Sequence, residues 1–184
     1  MQKKLSATTD KIYNALADVL LQKDYNDIRI QDVLDASGVA RSTFYAHYKT
    51  KEDLLKSICT TIFGHVFSHT LQEEQSHDFS KSSIFDYKHF ITHIFYHLHD
   101  EKKLVHAILL SQSRDVFLNY LRGELKEFAT ACVENNFVAG KNLPKELKIN
   151  SVIENLILIV SYWNDTDFSQ TPEKLTEYFI SMNM

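Results

Sequence analysis

"IQDVLDASGVARSTFYAHYKTKEDLL", residues Ile30–Leu55, sets one glycine between two short runs of helical spacing. Ile30, Val33 and Leu34 recur at the interval that gathers them on one side of a helix over Ile30 to Ser37. Gly38 then supplies the backbone freedom for a tight turn. A third helix is expected from Arg41 to Tyr48, and Lys51 opens a long fourth one with Leu54, Leu55, Ile58, Ile62, Val66 and Phe67 in its stripe. On a helical wheel Phe44 and Tyr48 of the third helix share one side, while Ser42, Thr43, Tyr45, Ala46 and Lys49 point away or flank. That outer face is small, hydroxylated and basic. It suits close entry into a DNA major groove, with base edges within hydrogen-bonding reach and phosphates within reach of Tyr45 and the lysines. A short helix, a glycine turn and a reading helix make helix-turn-helix geometry. The plainer reading of the same pattern is a three-helix corner with solvated polar residues.

Outward from this stretch, the rest of the chain is consistent with a helical protein. Only four glycines and two prolines occur among 184 residues, too few for the frequent turns of a many-stranded fold. Ile12, Leu16, Val19 and Leu20 mark a first helix over Thr8 to Lys23. "EEQSHDFSKSS" and "AGKNLPKE" are expected breaks. Between and after them lie helices near Ile84 to His99, Glu101 to Leu110, Arg114 to Asn136, Leu147 to Trp163 and Pro172 to Met182. The sum is an all-α chain of about nine helices. "INSVIENLILIVSYW" is apolar over more of its circumference than one bundle face requires, which points to a second subunit.

Net charge is −4, but its distribution is uneven. Nothing from Ala36 to Lys51 is acidic, whereas Arg41, Lys49 and Lys51 are basic, so a local basic patch lies on the stretch that would meet DNA. Cys59 and Cys132 stand alone, in no metal or redox spacing. No segment reads as a signal peptide or a membrane span, and the expected location is the cytoplasm.

The order Gly38-Val39, Thr43-Phe44-Tyr45, His47-Tyr48 and Lys51-Glu52-Asp53-Leu54 resembles the DNA-binding domain of the TetR family of bacterial transcription regulators, over about residues 6–66. The resemblance implies an N-terminal three-helix DNA-binding domain, 6–66, with its helix-turn-helix at about 29–48, and a C-terminal effector-binding and dimerisation domain, 67–184. It implies that Thr43, Tyr45 and His47 lie against DNA, that Lys51 meets a phosphate, and that Arg41 and Ser42 occupy variable positions suited to reading bases. The candidate DNA-contacting set is thus Arg41, Ser42, Thr43, Tyr45, His47, Tyr48, Lys49 and Lys51. Arg29 departs from the family, which usually opens the second helix with Thr or Ser, so a side-chain cap is expected to be missing. The ending "SYWNDTDFSQTPEKLTEYF" resembles the compact subfamily of dihydroxyacetone-kinase-operon regulators.

Two further patterns bear on what the second domain binds. His89, His93 and His97 form an i, i+4, i+8 ladder and His65 with His69 a second pair, a spacing that can ligate Zn²⁺ or Ni²⁺ but more often borders a polar helix face. No metal or cofactor is expected. Aromatics crowd the region from Phe63 to Tyr120; most serve the core, and a few are candidates to wall a cavity, as the resemblance implies. The candidate ligand residues are Phe63, Phe67, Phe90, His93 and Phe117. No glycine-rich phosphate loop or nucleophile elbow supports catalysis. The resulting expectation is a homodimer on a pseudo-palindromic double-stranded operator, a repressor released by a small-molecule effector. The alternatives are a DNA-binding module controlled by a partner protein, or an activator.

Overall fold

The computed structural model describes residues 7–68, 87–140 and 142–183, with the side chains of 63–68 outside that description. Among the described residues the chain is all-helical. The helices are α1 (Ala7–Leu20), α2 (Ile30–Ser37), α3 (Arg41–His47), α4 (Lys51–Ser68), α5 (Tyr87–Asp100), α6 (Lys102–Leu110), α7 (Arg114–Glu134), α8 (Lys145–Asp165) and α9 (Pro172–Asn183). A single 3-10 turn, Tyr25–Asp27, links α1 to α2.

Helix ends follow local chemistry. α1 stops at Leu20, short of the expected Lys23, because the Gln22 and Lys23 N–H groups both turn back to the Val19 carbonyl. α2 runs over the expected residues and ends on Gly38, whose φ of 64° lies in the left-handed region that favours glycine. Arg29, unable to accept a hydrogen bond, gives α2 no side-chain cap; instead Asp32 Oδ2 accepts the Arg29 N–H at 2.8 Å. α4 opens on a reciprocal cap: Thr50 Oγ1 accepts the Asp53 N–H at 3.0 Å, and Asp53 Oδ2 accepts the Thr50 N–H at 3.2 Å. α8 begins at Lys145, two residues before the expected Leu147, because Pro144 fixes the preceding backbone in an extended conformation. The expected break at 73–83 lies outside the described residues.

α1, α2, α3 and the start of α4 enclose Ile12, Leu16, Val33, Phe44, Leu54 and Ile58. α6 joins this unit to the rest, since it packs against α1 and also against α7 and α8. Lys103 at the start of α6 pairs with Asp18 of α1 at 2.7 Å, and just beyond its end Gln112 accepts a hydrogen bond from Asn26 Nδ2 at 2.8 Å. Tyr13 of α1 shares hydrogen bonds with Ser57 and Thr61 of α4, so the first helix is fixed to the long one as well.

The C-terminal layer is built on α7 against α8 and α9 against α5. Trp163 closes it, fully buried, with Phe95 at 5.7 Å, His99 stacked at 5.8 Å and Phe168 at 5.0 Å between ring centres. Its indole N–H donates to the Gln170 carbonyl, and the turn it anchors carries Asp167 and Phe168 at φ of 52° and 54°. These two residues sit in the left-handed region with no glycine available. The turn is held by the Phe168 N–H, which donates to the Trp163 carbonyl at 2.8 Å.

Candidate nucleic-acid interface

α3 is anchored by one side chain and offers the rest. Phe44 is fully buried and packs edge-on to Tyr45 and tilted against Tyr48. Arg41, Ser42, Tyr45, Ala46, His47 and Lys49 are exposed, and Thr43 is half-exposed. An outer face bearing a guanidinium, two hydroxyls, a phenol, an imidazole and an ammonium is therefore held in place by an apolar pin.

Two members of the expected set are differently placed. Tyr48 is 7% exposed, lies just past the end of α3 in extended backbone and belongs to the packing around Phe44. Its ring belongs to the core, as the wheel position beside Phe44 required, in contrast to the exposed members of the expected DNA-contacting set. Lys51 is half-buried, and its ammonium donates to three carbonyl oxygens, those of Tyr25 (2.6 Å), Asn26 (3.2 Å) and Ile28 (3.2 Å). It also lies 4.6 Å from the centre of the Tyr25 ring. Three donors meet three acceptors, so in this conformation the expected phosphate contact gives way to a staple that holds the α1–α2 connection against α4.

Sequence reasoning missed the residues behind Arg41. Its guanidinium donates from Nη2 to Gln31 Oε1 at 3.1 Å and lies 6.0 Å from the centre of the Tyr45 ring. Gln31 Nε2 in turn donates to Asp35 Oδ1 at 2.7 Å, one helical turn along α2. The available signal was the i, i+4 placement of Gln31 and Asp35 on the outer side of α2; nothing in the spacing shows that this side faces the start of α3. A parallel contact pairs Lys23 with Asp32 at 2.6 Å, and this ammonium, with the Arg29 N–H, holds the Asp32 carboxyl below the usual range.

The candidate ligand residues are only partly described. Phe63 and Phe67 lie on α4 with their side chains outside the described residues, as does His65, and His69 lies beyond them. Phe90 is half-buried and stacks on Phe128 of α7 at 4.5 Å. Phe117 is fully buried. His93 and His97 approach within 2.9 Å through their Nε2 atoms, so one donates and the other accepts. Among the described residues no group of three or more His, Cys, Asp or Glu side chains is arranged to hold a metal ion. Cys59 and Cys132 are buried, and burial pushes each thiol up to about 12. A groove of about 520 Å³ runs between α7 and α8, lined by Arg114, Leu118, Ile157, Leu158, Ser161 and Tyr162 among others. No helix among the described residues is long and apolar enough to cross a membrane.

Comparison with known proteins converges on one kind of molecule. Residues 12–58 match the bacterial regulatory proteins of the tetR family, and residues 86–184 match a transcriptional regulator C-terminal region. The uncharacterized HTH-type transcriptional regulator YxbF of Bacillus subtilis (strain 168) is 31% identical over 81 residues, 44% of this chain but only 21% of that protein's length. A TetR transcriptional regulator from Streptococcus agalactiae 2603V superposes with a TM-score of 0.69 at 28% identity, over 95% of this chain and 92% of the other. The dihydroxyacetone kinase operon activator DhaS shares the fold, with a TM-score of 0.65 at 14% identity over 96% and 93% of the two chains.

Proposed function

Because the chain belongs to the TetR family of bacterial regulatory proteins, DNA-binding regulators of transcription, we propose that it binds a pseudo-palindromic operator as a homodimer and represses until a small molecule releases it. The observation that carries the DNA half of this reading is the outer face of α3. Arg41, Ser42, Thr43, Tyr45, His47 and Lys49 stand outward while Phe44 is pinned inside, an arrangement with donors and acceptors for base edges and charge for phosphates. The division at about residue 66 is kept, with residues 67–184 as the sensing and pairing part.

The dimer rests on α8 and α9. Ile149, Val152, Leu156, Ile159, Val160 and Trp163 are consumed by the protomer's own core, yet Leu147, Leu158 and Tyr162 of α8 and Met182 of α9 remain exposed. Tyr178 of α9 meets Tyr162 at 6.3 Å and extends this apolar strip across both helices. A two-fold pairing of the strips makes a four-helix interface and sets the reading helices about 34 to 36 Å apart, one turn of DNA.

The sensing site is proposed among α4, α5 and α7, where Phe90 of α5 stacks on Phe128 of α7, with His93, Phe63, Phe67 and Phe117 as the remaining candidates. A ligand there would act by preferring the released arrangement, and a tenfold loss of operator affinity requires a preference of about 1.4 kcal/mol. Footprinting on the upstream region of the gene, followed by operator titration across a metabolite panel, tests both halves. A protected palindrome whose occupancy falls with one compound is the expected result. Protection without any responsive compound would remove the sensor and favour control by a partner protein.

A further inference from the structure

We propose that Gln31 and Asp35 of α2 form a positioning relay for Arg41, so that base preference at the site Arg41 faces depends on two side chains that touch no base. The inference rests on the reading of α3 as the DNA-reading helix. Arg41 is the first residue of α3 and exposed, where an arginine ordinarily samples many rotamers and loses that freedom on binding. Here one edge is already held: Nη2 donates to Gln31 Oε1 at 3.1 Å, and the guanidinium lies 6.0 Å from the Tyr45 ring centre. The remaining donors of the fork stay available for a bidentate acceptor pair, which in the major groove is O6 and N7 of guanine.

The direction of the Gln31 amide is what makes this a relay. A free glutamine presents its oxygen or its nitrogen to a neighbour by a simple flip. Asp35, one turn along α2, accepts from Gln31 Nε2 at 2.7 Å, and an ionised carboxylate can only accept. The amide nitrogen is therefore committed to Asp35 and the oxygen to Arg41. Asp35 thus orients Gln31, and Gln31 orients Arg41, across the turn at Gly38 that sets the two helices against each other. Lys49, exposed past the end of α3, contacts Asp53 through its backbone N–H.

The test is a comparison of base preference among the wild-type chain and Gln31→Leu, Gln31→Glu, Asp35→Asn and Arg41→Ala, by selection from a random DNA library. It is followed by titration on every single-base variant of one half-site and on random DNA, with thermal unfolding as the check on folding. Arg41→Ala is expected to flatten one or two base positions. Gln31→Leu should flatten the same positions by about threefold to tenfold while affinity for random DNA stays within about twofold. Asp35→Asn should flatten them less, because the amide regains its flip. Gln31→Glu keeps an acceptor and should keep the preference, at lower affinity for all DNA. The relay is overturned if Gln31→Leu leaves those positions intact, flattens different ones, or weakens all sequences alike. If Arg41→Ala flattens nothing, the assignment of Arg41 as a reading residue falls together with the relay.

Discussion

The Lys51 ammonium lies 2.6 Å from the Tyr25 carbonyl oxygen and 4.6 Å from the centre of the same residue's ring. One side chain at the start of α4 thus fixes both the backbone and the side chain of the turn that leads into α2. Hydrogen bonds from a charged donor contribute about 1.5 to 3 kcal/mol. Lys51→Met should therefore lower stability by roughly that amount and weaken operator binding by loosening the α2–α3 unit. The slope of log affinity against log salt should stay as in the wild type, because no phosphate contact is lost. A slope smaller by about one unit would mean that the ammonium leaves the turn for a phosphate when DNA arrives.

Gly38 tests the angle between α2 and α3. A Cβ there would meet nothing within 4 Å, so Gly38→Ala adds no clash, only the strain of a φ of 64°. The expected loss is about 1 to 2 kcal/mol, read by denaturant unfolding. A variant as stable as the wild type would show that the turn relaxes to another conformation, and its operator affinity should then fall as well.

The exposed strip on α8 makes a prediction about assembly. Leu158 is 58% exposed in the protomer, so Leu158→Lys should change protomer stability by no more than about 0.5 kcal/mol. In a paired strip the same change buries an unpaired ammonium, and the variant should sediment as a monomer at micromolar concentration while the wild type does not. Equal sedimentation of the two would move the interface elsewhere.

Glu101, half-buried at the start of α6, gives a pH dependence. Burial first, and then the like charges of Asp10 and Asp100, push its carboxyl above the usual range. The folded chain therefore holds this proton more readily than the unfolded one. Stability falls as pH rises from the unfolded value, about 4.3, through the raised folded value, and the loss is complete above it. Glu101→Gln should be the more stable form at neutral pH, by about 0.5 kcal/mol, with the gap closing on acidification. A gap that is the same at all pH values would assign the effect to something other than this carboxyl.

Much of the DNA-binding unit was legible because its punctuation is local. Gly38 ends α2 directly beside the boundary it sets, and α4 opens at the expected Lys51. Phe44 falls inside because helical spacing puts it on the inner side, and Tyr48, just past the end of α3, packs beside it. What stayed hidden depends on segments brought together across the fold. Lys51 reaches back 26 residues to Tyr25, and the exposed Asn26 meets Gln112 just beyond the end of α6, neither of which any local pattern encodes. Gln31 and Arg41 are close in sequence, but their contact needs the crossing of α2 and α3, which spacing leaves free. The candidate cavity was least legible, since an aromatic that fills a core and one that walls a pocket have the same sequence signature; Phe117, fully buried, and Phe90, stacked on Phe128, show how much of that signature is packing.

Trp163 gives the chain an optical probe of its own. It is the single tryptophan, sealed from water and stacked on His99, with its indole N–H tied to Gln170 in the strained turn between α8 and α9. Its emission should be blue-shifted in the native protein, whereas exposure of the turn should shift it to the red. Subunit exchange, ligand titration and unfolding can thus be followed in the unlabelled wild-type chain, from a site that lies beside the proposed pairing surface and away from the face offered to DNA.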